Sequence, residues 1–239
     1  MSKERLELIH FIGSYPLLTA PQLSRLAGRS EKAVQNTLAI FSARTKPVVQ
    51  KIRKDMYSRY HYALSKWATT EFGGNFVDLK NRSTYFLDHD ELINEVLIDL
   101  SFKYKVEVSI GGRKAWDEQI HPDRFLILNN GAKKRAFFLE AETGKNRDDD
   151  FIEKIEGYVA YWQKHFPKDP PKDWKHPKYR VRTFTVLTVC TSEQKAADLA
   201  ATCAPSIPEK DQKLYLFSSL PVQDCIVAHE PARYPLMPV

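Results

Sequence analysis

HPDRFLILNNGAKKRAFFLEAETGK, residues 121–145, contains the clearest strand and turn signals of this chain. The apolar run from Phe125 to Leu128 predicts a buried strand, and Asn130-Gly131 is a strong signal for a hairpin turn. A second strand is predicted from Arg135 onwards, where the apolar run Ala136–Leu139 follows, and it is the return strand of the hairpin. Helical patterns alternate with strand patterns on both sides of this hairpin, which favours an α/β (α+β) fold.

The segments around the hairpin complete this order of elements. Leu92, Val96, Leu97 and Leu100 are spaced as on the inner face of a helix. The predicted elements are a helix over 89–103, a strand over Lys105–Ile110, the two hairpin strands, a helix over 148–165, a strand over Val181–Val189 and a helix over 192–202. Further along, Leu214–Phe217 and Cys225–Ala228 are expected to be edge strands.

Two carboxylates interrupt the second hairpin strand. Strand side chains alternate, so Glu140 and Glu142 share a face. Asp123 stands at the start of the partner strand, and the hairpin turn brings it towards them. Three carboxylates that converge without a cation repel each other strongly at low dielectric. A divalent ion with oxygen ligands, Mg²⁺ or Mn²⁺, removes that repulsion and can activate water for attack on a phosphate.

A simpler interpretation of the same carboxylates stays open at this point. Glu140 and Glu142 can face solvent and form ion pairs with the basic residues Lys133, Lys134 and Arg135. An isolated Glu-x-Glu pattern favours that interpretation. The Asp123 carboxylate upstream and the lysine-bearing helix downstream favour the metal site.

These residues carry a family resemblance. Pro122-Asp123, Glu140-Ala-Glu142 and the following helix with Lys154 and Tyr158 resemble the PD-(D/E)xK nuclease superfamily. The nearer similarity is to plasmid replication-relaxation proteins and to MobC-type relaxases, and it spans roughly residues 1–190. It implies a winged helix-turn-helix followed by a restriction-endonuclease-like mixed sheet flanked by helices, with Asp123, Glu140 and Glu142 as metal ligands.

The catalytic lysine departs from the plain motif. Lysine is expected at position 142, where this chain has Glu142. The resemblance implies that Lys154 replaces it as a migrated lysine, and Lys145 is the second candidate. It also implies a carboxylate on the first helix of the nuclease core, for which Glu95 is the candidate. For each of the two lysines, a solvated surface position is as good an interpretation as a catalytic role.

The first third of the chain predicts a winged helix-turn-helix. Helix 3–13 is followed by a second helix capped at Thr19 and ended by Gly28, and by a third helix over 31–43. Val48–Ile52 and a return strand from Tyr57 to Leu64 then form the wing. We expect a DNA-binding domain over residues 1–85 and a nuclease-like domain over residues 86–239.

The charge distribution supports this division. Residues 1–85 hold 14 Lys/Arg and 6 Asp/Glu, a balance of +8, and the rest holds 22 and 24, a balance of −2. A basic unit beside a carboxylate-bearing one suggests a DNA anchor joined to a chemical site. The expected base-reading residues are Gln35, Asn36 and Arg44, and the expected phosphate contacts are Lys51, Arg53, Lys54 and Arg59. A winged helix used only for protein contacts is the alternative.

Several classes of protein lack support in the sequence. There is no HxH pair of the tyrosine relaxases, no GxxxxGK nucleotide loop, no CxxC pair among the three cysteines, and no apolar stretch of roughly 18 residues. No signal peptide is predicted, and the expected location is cytoplasmic.

The leading hypothesis is a plasmid mobilisation relaxase that nicks one strand at a transfer origin. The resemblance implies a relaxosome accessory protein and a coupling protein as partners. Two alternatives remain open: a regulator of plasmid replication whose nuclease-like domain does not cleave, and a transposon or restriction endonuclease. Sequence leaves the oligomeric state open, and with it the choice between nicking and double-strand cutting.

Overall fold

The structure is a computed structural model that describes residues 1–80, 82–111, 120–129, 131, 134–144, 148–166 and 183–222. The chain divides into two compact units, Met1–Ile98 and Asp99–Val239. The boundary predicted from the sequence lies between residues 85 and 86. The observed division falls later because Ile98, on the helix that follows residue 86, packs into the apolar core of the first unit.

The first unit contains five helices and three strands within its described residues. They are α1 (Lys3–Ser14), β1 (Leu18–Thr19), α2 (Ala20–Ala27), α3 (Glu31–Ser42), β2 (Val49–Ile52), β3 (His61–Leu64), α4 (Lys66–Phe72) and α5 (Leu87–Ser101). The strands form an antiparallel sheet in the order β1-β3-β2. The three helices α1, α2 and α3 precede the strand pair of β2 and β3, which is the order that the sequence predicted. We call β2, β3 and the turn between them the wing. The sequence analysis did not predict β1 or α4.

Local signals set the ends of α2 and α3. The Thr19 backbone N–H donates to Gln22 Oε1 at 2.9 Å in a capping arrangement at the start of α2. Gly28 ends that helix with φ at 60°, a conformation that favours glycine. Ser30 caps α3 by accepting from the Ala33 N–H. The short connection between these two caps sets where α3 begins.

The wing differs from its prediction in the length of its return strand. Tyr57 was expected to begin that strand, but β3 begins at His61. The backbone N–H groups of Tyr57 and Ser58 both donate to Asp55 Oδ1, at 2.8 Å each. Because these bonds form a local turn, the residues before His61 belong to the wing tip.

The second unit is built on one five-stranded sheet. Its elements are β4 (Lys105–Gly111), β5 (Arg124–Asn129), β6 (Lys134–Glu142), α6 (Asp148–His165), β7 (Phe184–Cys190), α7 (Glu193–Cys203) and β8 (Tyr215–Ser218). The strand order is β4-β5-β6-β7-β8. The first three strands are antiparallel, and the β6–β7 and β7–β8 pairs are parallel, so the sheet is mixed as predicted. The expected strand at Cys225–Ala228 lies outside the described residues.

The apolar face of this sheet leads directly to the predicted carboxylates. Phe138 on β6 contacts the rings of Phe125, Tyr158 and Phe184, at centroid distances of 5.4, 5.4 and 4.5 Å. Side chains alternate along a strand, so Glu140 lies on the same face as Phe138. The core that fixes α6 against the sheet therefore also fixes the surroundings of Glu140.

No helix in the described ranges is long and apolar enough to cross a membrane.

Candidate active site and nucleic-acid surface

The hairpin brings Asp123 next to the end of β6. Arg124 pairs with Leu139 in the antiparallel register, so Asp123 lies level with Glu140. The Asp123 carboxylate accepts a hydrogen bond from the Ala141 N–H at 2.8 Å. The predicted convergence of these two carboxylates is therefore present.

Glu140 is the centre of this group, which we call the carboxylate site: Asp123, Glu140, Glu142, Lys154 and Tyr158. The Glu140 side chain is 0% exposed. Lys154 Nζ donates to Glu140 Oε2 at 2.7 Å, and the Tyr158 hydroxyl donates to Oε1. Lys154 and Tyr158 are four residues apart on α6 and so share one helix face. One turn of α6 therefore holds both oxygens of a buried carboxylate.

Burial dominates the electrostatics of the carboxylate site. Desolvation raises the pKa of Glu140 from 4.5 to about 7, and the charge of Asp123 adds to this rise, while Lys154 opposes it. Burial acts to lower the pKa of Lys154, but the nearby charges of Glu140 and Asp123 outweigh it and raise that pKa. Lys154 therefore stays protonated and is the local counterion.

Glu142 is also buried, at 2% exposure. Its carboxylate accepts from the Gly144 N–H. Burial and the negative charge of Glu142 raise the pKa of Cys190 to about 11, so that thiol stays neutral. The interpretation that Glu140 and Glu142 face solvent is wrong. Lys134, one of its proposed partners, instead pairs with Glu107 at 2.6 Å.

The fit of a divalent ion to these residues is mixed. Two buried carboxylates and Asp123 offer the oxygen ligands that Mg²⁺ and Mn²⁺ prefer. Yet no group of three or more His, Cys, Asp or Glu within the described ranges is arranged to hold a metal ion. Lys154 and Tyr158 engage Glu140 instead. The ligand chemistry fits, and metal binding stays a prediction.

Two further predicted site residues lie elsewhere. The Glu95 carboxylate pairs with the Arg25 guanidinium inside the first unit. Its contact is thus a structural ion pair, and a metal role for Glu95 stays a prediction. Lys145 lies outside the described residues. Of the two candidate lysines, Lys154 is the one that the structure places on Glu140.

Thr188 is a site residue that the sequence analysis missed. It pairs with Glu140 in the parallel β6–β7 register and lies on the same sheet face. Its side chain is 1% exposed, and its hydroxyl has no hydrogen-bond partner in the described part of the chain. A threonine in the apolar run of β7, at alternate spacing with Cys190, was the available signal.

The first unit has a cleft between α3 and the wing. Its volume is about 350 Å³, and its lining includes Gln35 on α3 with Lys51, Arg59 and Tyr60 on the wing. Lys51 Nζ and the Arg53 guanidinium lie 4.5 and 4.8 Å from the centre of the Tyr60 ring. Two of the predicted phosphate contacts, Lys51 and Arg53, therefore lie over the ring of Tyr60.

The other residues predicted to contact DNA differ in the partners that they have within the protein. Lys54 pairs with Asp88 at 3.0 Å, and Arg59 lies 3.8 Å from Glu91. The Gln35 amide donates to Glu31 at 2.7 Å. Asn36 and Arg44 are exposed. Gln35 and Asn36 lie on α3, Arg44 follows α3, and Lys54 and Arg59 lie on the wing. Their DNA contacts remain predictions.

Comparison with known proteins adds the family. No curated protein matches the chain. Two solved structures of the restriction endonuclease FokI are similar in part. The DNA-bound structure has a TM-score of 0.35 and 12% identity over 95% of this chain, and the other has 0.29 and 14% over 84%. This chain covers only 44% and 40% of those chains. The model of the family described as "Replication-relaxation" matches residues 9–172, and the chain therefore belongs to the replication-relaxation family.

Proposed function

We propose that this protein is a DNA endonuclease that nicks one strand at a plasmid transfer origin. The observation that carries the proposal is the buried Glu140 carboxylate, held by Lys154 and Tyr158 and flanked by Asp123 and Glu142. A sheet has no structural need for a fully buried ionisable group whose pKa is raised to about 7. Such groups are concentrated at functional sites.

Each residue of the carboxylate site has a distinct task in this proposal. Asp123, Glu140 and Glu142 would hold Mg²⁺ or Mn²⁺, which would supply Lewis acidity at the scissile phosphate and a more acidic water. Lys154 carries positive charge beside Glu140, and its side chain is 31% exposed, so it reaches solvent where a phosphate would lie. Tyr158 fixes the second oxygen of Glu140, which keeps the carboxylate in one orientation.

The first unit would supply the specificity. Asn36 and Arg44 are exposed and would meet base edges, while Lys51 and Arg53 would meet phosphates. A relaxosome accessory protein and a coupling protein are the partners that such a relaxase would need.

The direct test uses supercoiled plasmid with and without its cognate transfer origin, in Mg²⁺ or Mn²⁺. We expect open circles only when both the origin and the metal are present. Linear product would instead indicate a restriction or transposon endonuclease. Intact supercoiled plasmid under all conditions would refute cleavage.

One observation favours a second candidate, a DNA-binding replication regulator that does not cleave. Lys154 already neutralises Glu140, and the described residues contain no group arranged for a metal ion. Origin binding without nicking, together with a thermal midpoint unchanged by Mg²⁺ or Mn²⁺, would select this candidate.

The cations of the wing should differ in their contribution to DNA affinity. Replacing Lys51 and Arg53 together with Ala should lower the slope of log affinity against log salt by about 1.8, since each lost phosphate contact removes about 0.9. The Lys54→Ala/Arg59→Ala pair should lower it less, because Asp88 and Glu91 partly neutralise those two charges. Fluorescence anisotropy across a salt series measures both slopes.

The matched control for the wing variants is Lys66→Ala, an exposed lysine on α4. It should leave the slope unchanged. Equal slopes for wild type and the Lys51→Ala/Arg53→Ala variant would show that the wing does not contact DNA.

The cleavage product should carry no covalently attached protein. The Tyr158 hydroxyl is fully buried, and desolvation and Glu140 raise its pKa well above its ordinary value, so it is a poor nucleophile. Tyr161 is 5% exposed and packs in the core. Nicked DNA should therefore migrate as free DNA after denaturation without protease.

Single tyrosine variants complete this test. Tyr161→Phe should nick at nearly the wild-type rate. Tyr158→Phe should nick more slowly but measurably, because it removes one of the hydrogen bonds to Glu140. A protease-sensitive adduct that disappears in one of these variants would refute hydrolysis by water.

A further inference from the structure

The tip of the wing carries the two most exposed large hydrophobic side chains in the described part of the chain. Tyr57 is 90% exposed and Met56 is 69% exposed. Both lie in the turn between β2 and β3. Adjacent apolar side chains this open to water are unfavourable unless a partner covers them.

Hydrogen bonds to backbone groups fix the turn from which these two side chains extend. Asp55 Oδ1 accepts the N–H groups of Tyr57 and Ser58 at 2.8 Å each. The Arg53 guanidinium donates to the Met56 carbonyl at 2.9 Å. Because the turn is closed by hydrogen bonds to the backbone, the side chains of Met56 and Tyr57 are presented without contributing to the fold.

Charge identifies the kind of partner. Lys51 and Arg53 lie over Tyr60 just behind the tip, and exposed Arg59 follows it. An apolar protein surface that covered the tip would also desolvate these cations. A polyanion with flat apolar surfaces of its own covers the tip and neutralises the cations together, and a nucleic acid with accessible base faces meets both requirements.

We propose that the wing tip is a wedge that enters DNA at an unstacked step, with Tyr57 stacking on an exposed base and Met56 filling the gap beside it. Lys51 and Arg53 hold the flanking phosphates. The proposal rests on the proposed function, since it requires the first unit to bind DNA. It adds a preference for DNA whose bases are already separated. An apolar wedge must unstack a paired duplex before it enters, and a mismatch bubble removes that requirement.

The test compares two probes without divalent metal: a fully paired duplex, and the same duplex with a short central mismatch bubble. We expect the wild-type protein to bind the bubble about tenfold more tightly, the order of one base–aromatic stack. Tyr57→Ala should lose most of this preference and keep its affinity for the paired duplex. Tyr57→Trp should keep the preference, because it keeps an aromatic face.

Phe76→Ala is the control, since Phe76 is also an exposed aromatic of the first unit, at 44%. It should keep the preference. A thermal midpoint for Tyr57→Ala equal to that of wild type is expected, because the side chain packs against so little. A 2-aminopurine placed in the bubble gives a second readout: its fluorescence should fall on binding wild type and fall less with Tyr57→Ala.

Failure of the wedge and failure of the proposed function give different results. Tight binding of the paired duplex with no bubble preference, or a preference that survives in Tyr57→Ala, overturns the wedge and leaves the proposed function standing. Failure of the wild-type protein to bind either probe overturns the wedge together with the proposed DNA-binding role of the first unit.

Discussion

Glu140→Gln is expected to lower the rate of plasmid nicking by about a thousandfold while leaving DNA affinity unchanged. The carboxylate is the central acceptor of the carboxylate site, and its loss removes a proposed metal ligand and the partner of Lys154. Metal-assisted charge stabilisation contributes several kcal/mol to such reactions, and losing about 4 kcal/mol lowers a rate about a thousandfold. Asp123→Asn and Glu142→Gln should act in the same direction.

The measurement pairs nicking rates with gel-shift affinities for the same DNA. Glu107→Gln is the matched control, because Glu107 lies on β4 of the same sheet and pairs with Lys134 and Asn129 at its surface. It should nick at the wild-type rate. If Asp123→Asn, Glu140→Gln or Glu142→Gln also nicked at that rate, the chemistry would have to lie elsewhere in the chain.

The elements that local signals define were predictable from sequence. The Asn130-Gly131 turn signal and the apolar runs beside it predicted a hairpin, and β5 and β6 pair as one. Thr19 and Gly28 likewise marked the two ends of α2. Strand alternation alone was enough to put Glu140 and Glu142 on one face, because the side-chain period of a strand is fixed.

What remained unpredictable depends on which element packs where. The Lys154–Glu140 contact requires α6 to lie against the sheet, and nothing in either segment alone specifies that contact. The position of Thr188 beside Glu140 follows from the parallel β6–β7 register, which joins segments far apart in sequence. β1 has two residues, too few for any periodicity. The two compact units divide within α5 because Ile98 packs in the core of the first unit, a contact that the sequence pattern does not specify.

Helix α4 is a different kind of omission. Ser65 caps it by accepting from the Ala68 N–H, and Gly73 follows its last residue. Both signals are readable in the sequence, and they were overlooked beside the stronger strand pattern of β3.

The metal-free protein is expected to lose stability as pH rises from about 4.5 to about 7. Burial raises the pKa of Glu140 from 4.5 to about 7, so the folded protein holds this proton in a range where the unfolded chain has released it. Stability therefore falls as pH rises through this window and levels off above it. A pKa raised from 4.5 to about 7 corresponds to about 3 kcal/mol of stability.

Urea unfolding with a metal chelator, at several pH values, measures this dependence. Glu140→Gln should flatten it, because the titrating group is gone. Lys154→Met should extend it to higher pH and lower stability at pH 8 by about 3–5 kcal/mol, since a buried carboxylate is left without its cation. Lys164→Met, an exposed position on the same helix, should behave as wild type.

The double variant Glu140→Gln/Lys154→Met separates the ion pair from general packing. If the loss in Lys154→Met comes from the uncompensated charge of Glu140, the double variant should recover most of it, because neither buried charge remains. A double variant as unstable as Lys154→Met would assign the effect to the packing of the lysine stem. A pH dependence that persists unchanged in Glu140→Gln would show that another group titrates, and would remove Glu140 as the buried acid of this fold.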